Sequence, residues 1–168
     1  QEEINQDLGQ RRADVIELHQ PLTPRMRSIQ NAIIQCLEAT LHQVKLSKLV
    51  TDLDDLNVEQ AMYRAFDVTV RRHLDPVWHR LSPATRQLVG DLYTLRQLLH
   101  ALLSYDSVSF YEYLETILAS NAPTSEPGAP QRQSQWLMSD EANMIFHEAR
   151  ARLWQEKQDE EGMSFELE

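Results

Sequence analysis

Leu88, Leu92, Leu95, Leu99 and Leu102 follow one another at steps of four, three, four and three residues. An α-helix turns once every 3.6 residues, so this spacing lines all five along one face and turns Arg96, Gln97 and His100 away from it. A strand would scatter them over both faces. The same rhythm returns in Met26, Ile29, Ile33, Leu37, Leu41 and Val44, and again in Ala142, Ile145, Phe146, Ala149 and Leu153. Four glycines in 168 residues are too few for a fold built on many tight turns. The expectation is an all-α chain, a compact multi-helix bundle of about six helices with flexible acidic termini.

Polar and proline residues punctuate these stripes. Thr23 suits an N-cap and Pro24 a first helical turn, which opens a helix over about 24–49. Thr51–Leu56 reads as an acidic loop, and Asn57 with Gln60 as a capping pair for a short helix carrying Ala61 and Met62. Asp67 is expected to cap the next, which runs through Val70 and Leu74 until Pro76 interrupts it. Pro76–Leu81, with Trp78, makes one more turn. Ser82 and Pro83 repeat the cap-plus-proline start for the leucine stripe, which reaches about Tyr105. Asp106 or Ser107 caps a helix with Phe110, Tyr113, Leu114, Ile117 and Leu118 inward. Asn121–Gln135 holds three prolines and a glycine, a mobile loop, before Asp140 opens the last helix. The charged tail from Gln155 is expected to fray. At the start, Gln1–Arg12 is a polar arm, and Val15-Ile16-Glu17-Leu18 reads as the end of a strand from a neighbouring domain. The division is a flexible arm over 1–16, a helical domain over 17–154 and a charged tail over 155–168.

The formal charge of −10 is unevenly placed. Residues 1–20 carry two arginines against five acids and residues 155–168 one lysine against six, so the body between them is nearly balanced. Bulk acidity therefore does not exclude nucleic acid, although strong phosphate binding wants a positive field. The lone Cys36 excludes an intramolecular disulfide and any multi-cysteine metal site, and its apolar helical setting predicts core packing. No window approaches the ~20 apolar residues of a membrane span, and the acidic start is not a signal peptide.

Chemistry-bearing motifs are sparse. No glycine stands beside a lysine followed by Ser or Thr, so a phosphate-cradling loop is missing. Among six histidines the nearest approach to a helical metal pair is Asp75 with His79, and Pro76 lies between them. Asp52, Asp54 and Asp55 lack the ligand periodicity of a calcium loop and read as a solvated turn. No Ser sits in a nucleophile elbow. No catalytic residue, cofactor or metal is expected. Two arginine pairs are the candidate DNA contacts: Arg71 and Arg72 near a helix end, and Arg150 and Arg152 on the last helix. The competing reading is an internal ion pair, for instance Arg152 with Glu148 four residues earlier. Trp78, Trp136 and Trp154 can stack on bases or, the commoner fate beside leucines, pack between helices; Trp136 suits an anchor for the loop's return.

From residue 17 onward the chain resembles the XPF family of structure-specific endonucleases. The strings that carry the resemblance are Glu17-Leu18-His19, Leu22-Thr23-Pro24, Ile29-Gln30-Asn31-Ala32-Ile33 and Glu59-Gln60-Ala61 with Phe66-Asp67. They continue through Val70-Arg71-Arg72-His73-Leu74-Asp75-Pro76-Val77-Trp78-His79, Leu88-Val89-Gly90-Asp91-Leu92, Leu95-Arg96 and Tyr105-Asp106-Ser107-Val108-Ser109-Phe110. Trp136-Leu137 and Ala149-Arg150-Ala151-Arg152 complete an ordered set over about 17–154. Ser107 departs from the Cys that relatives often carry there, and Asn121–Gln135 resembles the family least.

The resemblance implies a helical middle domain between two RecA-like lobes of a helicase-like module that has lost its ATPase motifs. The family's Glu-Arg-Lys nuclease signature and its helix-hairpin-helix motif do not occur here, so cleavage is not ascribed to this segment. Implied partners are the flanking lobes, repair scaffold proteins and branched or single-stranded DNA, with nucleotide-excision and crosslink repair as the setting and the nucleus as the location. Two functions follow: an architectural and protein-binding module, or a direct DNA contact element. Independent enzymatic activity has no feature in its favour.

Overall fold

The computed structural model describes residues 22–47, 56–62, 65–122, 126–127 and 133–166. The expected β-favouring run at 15–18, the acidic turn at 51–55 and most of the proline-rich loop lie outside these residues. Within them the chain is all α, and no strand occurs among the described residues. Five helices, α1 (Pro24–Lys45), α2 (Ala65–Leu74), α3 (Pro83–Ser104), α4 (Ser107–Ser120) and α5 (Asp140–Glu166), are joined by 3-10 turns at Val58–Met62, Asp75–Arg80 and Gln135–Met138.

Local chemistry sets the helix starts. Thr23 Oγ1 accepts from the Met26 amide at 3.2 Å, and Ser82 Oγ from that of Thr85 at 3.1 Å, each followed by a proline whose missing N–H costs nothing there. Asp106, rather than Ser107, caps α4, its Oδ1 accepting from the Ser109 amide at 2.7 Å. Asn57 Oδ1 accepts from the Gln60 amide at 3.1 Å, but the segment it starts is a 3-10 turn of five residues. Asp67 is no cap. It stands in the first turn of α2 and turns its carboxylate to Arg96 of α3, 2.9 Å away. Asp140 opens α5 as expected, while the cap is Ser139, whose Oγ accepts from the Ala142 amide at 3.1 Å.

The core lies where α1 packs against both α3 and α5, with α4 laid on α5. Serving two neighbours widens the buried band of α1 to Ile29, Ala32, Ile33, Cys36, Leu37, Thr40, Leu41 and Val44. Cys36 is buried there, and the Thr40 hydroxyl is satisfied by the Cys36 carbonyl at 2.7 Å. On α3 the buried residues include Val89, Leu92, Leu95, Leu98, Leu99 and Leu102. Each such side chain contributes about 1.5–3 kcal/mol relative to leaving it in water. Phe110, Leu114 and Ile117 of α4 point inward, whereas Leu118, one residue further round the last turn, is 51% exposed. The tail does not fray at Gln155. Glu, Gln, Lys and Asp are compatible with a helix, and α5 continues to Glu166.

One polar cluster is built into this apolar frame. Asp91 sits among the leucines of α3, 2% exposed, and its Oδ1 accepts from Ser134 Oγ at 2.6 Å and from Gln87 Nε2 at 3.1 Å. Asn121 Oδ1 accepts from the Ser134 amide at 3.3 Å. The cluster therefore ties the end of α4 and the start of the 3-10 turn at Trp136 to α3. Trp136 is buried beside it, the anchor that its place in the sequence predicts. Burial pushes the Asp91 carboxyl up, against the smaller opposing pull of the Ser134 and Gln87 bonds.

Candidate nucleic-acid interface

The four arginines singled out from the sequence fall into two unlike settings. Arg71 and Arg72 are exposed in the last turn of α2, which also carries His73. The Arg71 guanidinium lies over the Tyr93 ring of α3, 5.9 Å from its centroid. Burial raises the Tyr93 hydroxyl, and Arg71 pulls it the other way. Directly after α2, the Asp75–Arg80 turn presents Trp78, His79 and Arg80 at the surface. Arg86, one turn into α3, donates from Nε to the Trp78 carbonyl at 3.1 Å and places its guanidinium 5.8 Å from the Trp78 ring centroid.

Four arginines thus face two aspartates over residues 65–86, and one of those, Asp67, is taken up by Arg96. Among the described residues, no carboxylate lies within ion-pair distance of Arg71, Arg72, Arg80 or Arg86. Two of the four are held by ring or carbonyl contacts, which reduces the rotamer entropy that a ligand would otherwise have to freeze.

Arg150 and Arg152 stand elsewhere. Arg152 is half-buried, and its Nε lies 3.6 Å from Glu156 Oε1, four residues later. The expected partner, Glu148, is instead held by Arg25 of α1 at 3.0 Å, because α1 crosses α5 at that point. Glu156 also accepts from the buried Ser107 hydroxyl, which closes a junction between α4 and α5. Arg150 is exposed and donates to the Tyr111 hydroxyl at 3.3 Å. Around them α5 carries eight acids against three basic groups. A groove of about 580 Å³ between the first turn of α1 and α5 is lined by both signs, including Arg25, Glu148, Arg152 and Asp159.

The tryptophans divide as well. Packing claims Trp136 alone, while Trp78 is 38% and Trp154 63% exposed. The contributions of Arg80 and Arg86 are not marked by any run of basic residues. They lie on the Asp75–Arg80 turn and the start of α3, the elements that directly follow Arg71 and Arg72. Among the described residues no group of His, Cys, Asp and Glu could hold a metal ion, and no helix is long and apolar enough to cross a membrane.

No family model matches the chain. It is 43% identical over 156 residues to the DNA repair protein rad16 of Schizosaccharomyces pombe, covering 92% of this chain and 18% of that protein. It is 38% identical over 151 residues to the DNA repair endonuclease XPF of Cricetulus griseus, covering 90% of this chain and 16% of that protein. With the DNA repair protein RAD1 of Saccharomyces cerevisiae the identity is 31% over 140 residues, 83% of this chain and 12% of that protein. The chain spans less than a fifth of the length of these curated relatives. With a helical body and identities of this size along most of its length, the chain belongs to the XPF family of DNA repair endonucleases as one segment of such a protein.

Proposed function

We propose that this segment is a non-catalytic helical domain of an XPF-like nuclear DNA-repair endonuclease, an architectural and protein-binding module between two degenerate RecA-like lobes. The observation that carries the reading is the surface of α4 and α5. Val108, Leu118, Met138, Met144, Trp154 and Met163, on these helices and the turn before α5, are each more than half exposed. Large apolar side chains left exposed at several places on these elements favour covering surfaces, whether a lobe of the same chain or a repair scaffold protein. A photo-crosslinking residue placed at Met144 or Trp154 of the intact nuclease tests this. Crosslinks to the flanking lobes or to a purified scaffold protein are expected, and their absence at both positions rejects it.

A second reading, direct contact with DNA, is favoured by the arginine corner of α2 and α3. It requires salt-dependent binding of the chain to DNA that falls on charge reversal at Arg71 and Arg72. Of the other two candidates, Arg150 donates to the Tyr111 hydroxyl and Arg152 is engaged with Glu156, so both are expected to contribute less.

A further inference from the structure

We propose that the corner made by the last turn of α2, the Asp75–Arg80 turn and the start of α3 is a single-strand DNA platform, in which Arg71, Arg72, Arg80 and Arg86 hold phosphates and Trp78 stacks on a base. The proposal rests on the reading that this segment touches DNA, and adds which form of DNA and how.

Spacing comes first. Arg86 and Tyr93 stand seven residues apart on α3, two turns along one face, which sets them roughly 10 Å apart along the axis. Arg86 covers Trp78 and Arg71 covers Tyr93, so two guanidinium groups are spread along that length. That length exceeds the ~3.4 Å between stacked nucleotides of one duplex strand, so the two groups would address different phosphates of a strand. Arg72 and Arg80 are exposed on the two elements between them.

Trp78 decides the form of DNA. Trp78 is 38% exposed within the Asp75–Arg80 turn, and the Arg86 guanidinium lies over its ring. Stacking on an indole requires an open base face, which a single strand offers and a paired duplex hides. A guanidinium at 5.8 Å already makes the ring part of a cation–π pair, and a base added to it extends that stack. The −10 charge of the whole chain opposes any polyanion, so the complex is weak and depends on this local field.

The test is fluorescence anisotropy of the 168-residue chain with an oligothymidylate of roughly 15 nucleotides and with the matching duplex. Four phosphate contacts predict a roughly fiftyfold loss of single-strand affinity between about 50 and about 200 mM salt. Trp78→Ala is expected to weaken single-strand binding about tenfold, the size of one base–aromatic stack, with the salt slope unchanged. Trp78→Phe should recover most of the loss, which separates stacking from misfolding, and circular dichroism melts confirm that each variant folds. Arg71→Glu with Arg72→Glu should lower both affinity and salt slope, whereas Arg150→Glu should leave both near the parent values. Equal binding of strand and duplex, unmoved by Trp78→Ala, overturns the platform while leaving DNA contact standing. No binding to either at low salt removes both.

Discussion

The α2–α3 corner and α5 from Arg150 onward each present arginine, tryptophan and open surface, yet they are opposites. At the corner, Arg71 leans on Tyr93 and Arg86 on Trp78, and of the two aspartates there Asp67 is spent on Arg96, which leaves Asp75. On α5, Trp154 is covered by Lys157, 5.7 Å from its ring centroid, while Glu156, Asp159, Glu160 and Glu161 crowd the same turns. A count of basic residues ranks Arg150-Ala151-Arg152 beside Arg71-Arg72. Burial and neighbouring carboxylates rank them apart, since the field at an exposed arginine is set within a Debye length of about 10 Å.

The largest effect should come from the link that positions the corner. Arg96 and Asp67 are 16% and 27% exposed at the side chain and joined by one contact of 2.9 Å. Asp67 Oδ1 and Arg96 Nε are buried without partners, so the pair is imperfect and removing one member strands the other. Arg96→Met is expected to cost about 2 kcal/mol in urea unfolding, below the ~3–5 of a fully buried pair because water still reaches both groups. It should also loosen α2 and weaken any DNA binding at the corner. Unchanged stability would mean that α2 is held by Phe66, Val70 and Leu74 alone.

Next in size is a change that should make the two regions more alike. Replacing Asp159, Glu160 and Glu161 with their amides removes three negative charges from an exposed helix without touching a packed atom. Helix content should hold, because Asn and Gln are compatible with a helix. Low-salt affinity of the chain for DNA should rise several-fold as the chain's overall repulsion of a polyanion falls. If the variant binds no better than the parent, repulsion from α5 is not what separates the regions.

Much of this was legible beforehand, and what was not has a common cause. The leucine stripe, the caps at Thr23, Ser82 and Asp106 and the anchoring role of Trp136 are decided within a few residues of sequence, so the periodicity announces them. Glu148 chose Arg25, 123 residues away, over Arg152 four residues away. Asp67 chose Arg96 over its own helix start. Such choices depend on which helix crosses which, and nothing local records it. Leu118 belongs to the same apolar stripe in sequence, but it lies past the buried band of Phe110, Leu114 and Ile117. The XPF resemblance, in contrast, was carried by ordered strings and survived comparison with the relatives.

Asp91 extends the contrast to a carboxylate that neither region exposes. Its carboxyl is raised above the ordinary aspartate range by burial, while that of exposed Asp106 is lowered, chiefly by the Ser109 amide bond at the start of α4. The two act with opposite sign. A raised acid holds its proton more tightly in the folded chain, so its contribution is greatest below the unfolded value and is lost as pH climbs to the folded one. A lowered acid contributes above the unfolded value and loses that as pH falls through the folded one. Asp91→Asn keeps an oxygen for Ser134 and Gln87 and removes the titration. Its melting temperature relative to the parent should therefore be higher at neutral pH, and the gap should narrow as the pH is lowered towards the unfolded value. A constant gap would show that Asp91 keeps one charge state throughout.

The smallest effect belongs to the link between α1 and the acidic region. Arg25 is 40% exposed at the side chain, its Nη1 3.0 Å from Glu148 and its Nε 3.0 Å from Gln155 Oε1. Water competes for all three groups, and holding two long side chains in one arrangement offsets most of the attraction. Arg25→Ala is expected to cost at most about 0.5 kcal/mol, and less as salt is raised, because exposed pairs are screened. A loss as large as that from Arg96→Met would show that α1 and the outer half of α5 are clamped electrostatically. The acidic region would then be a structural brace like the corner's own, and the distinction between the two regions would lie in charge sign alone.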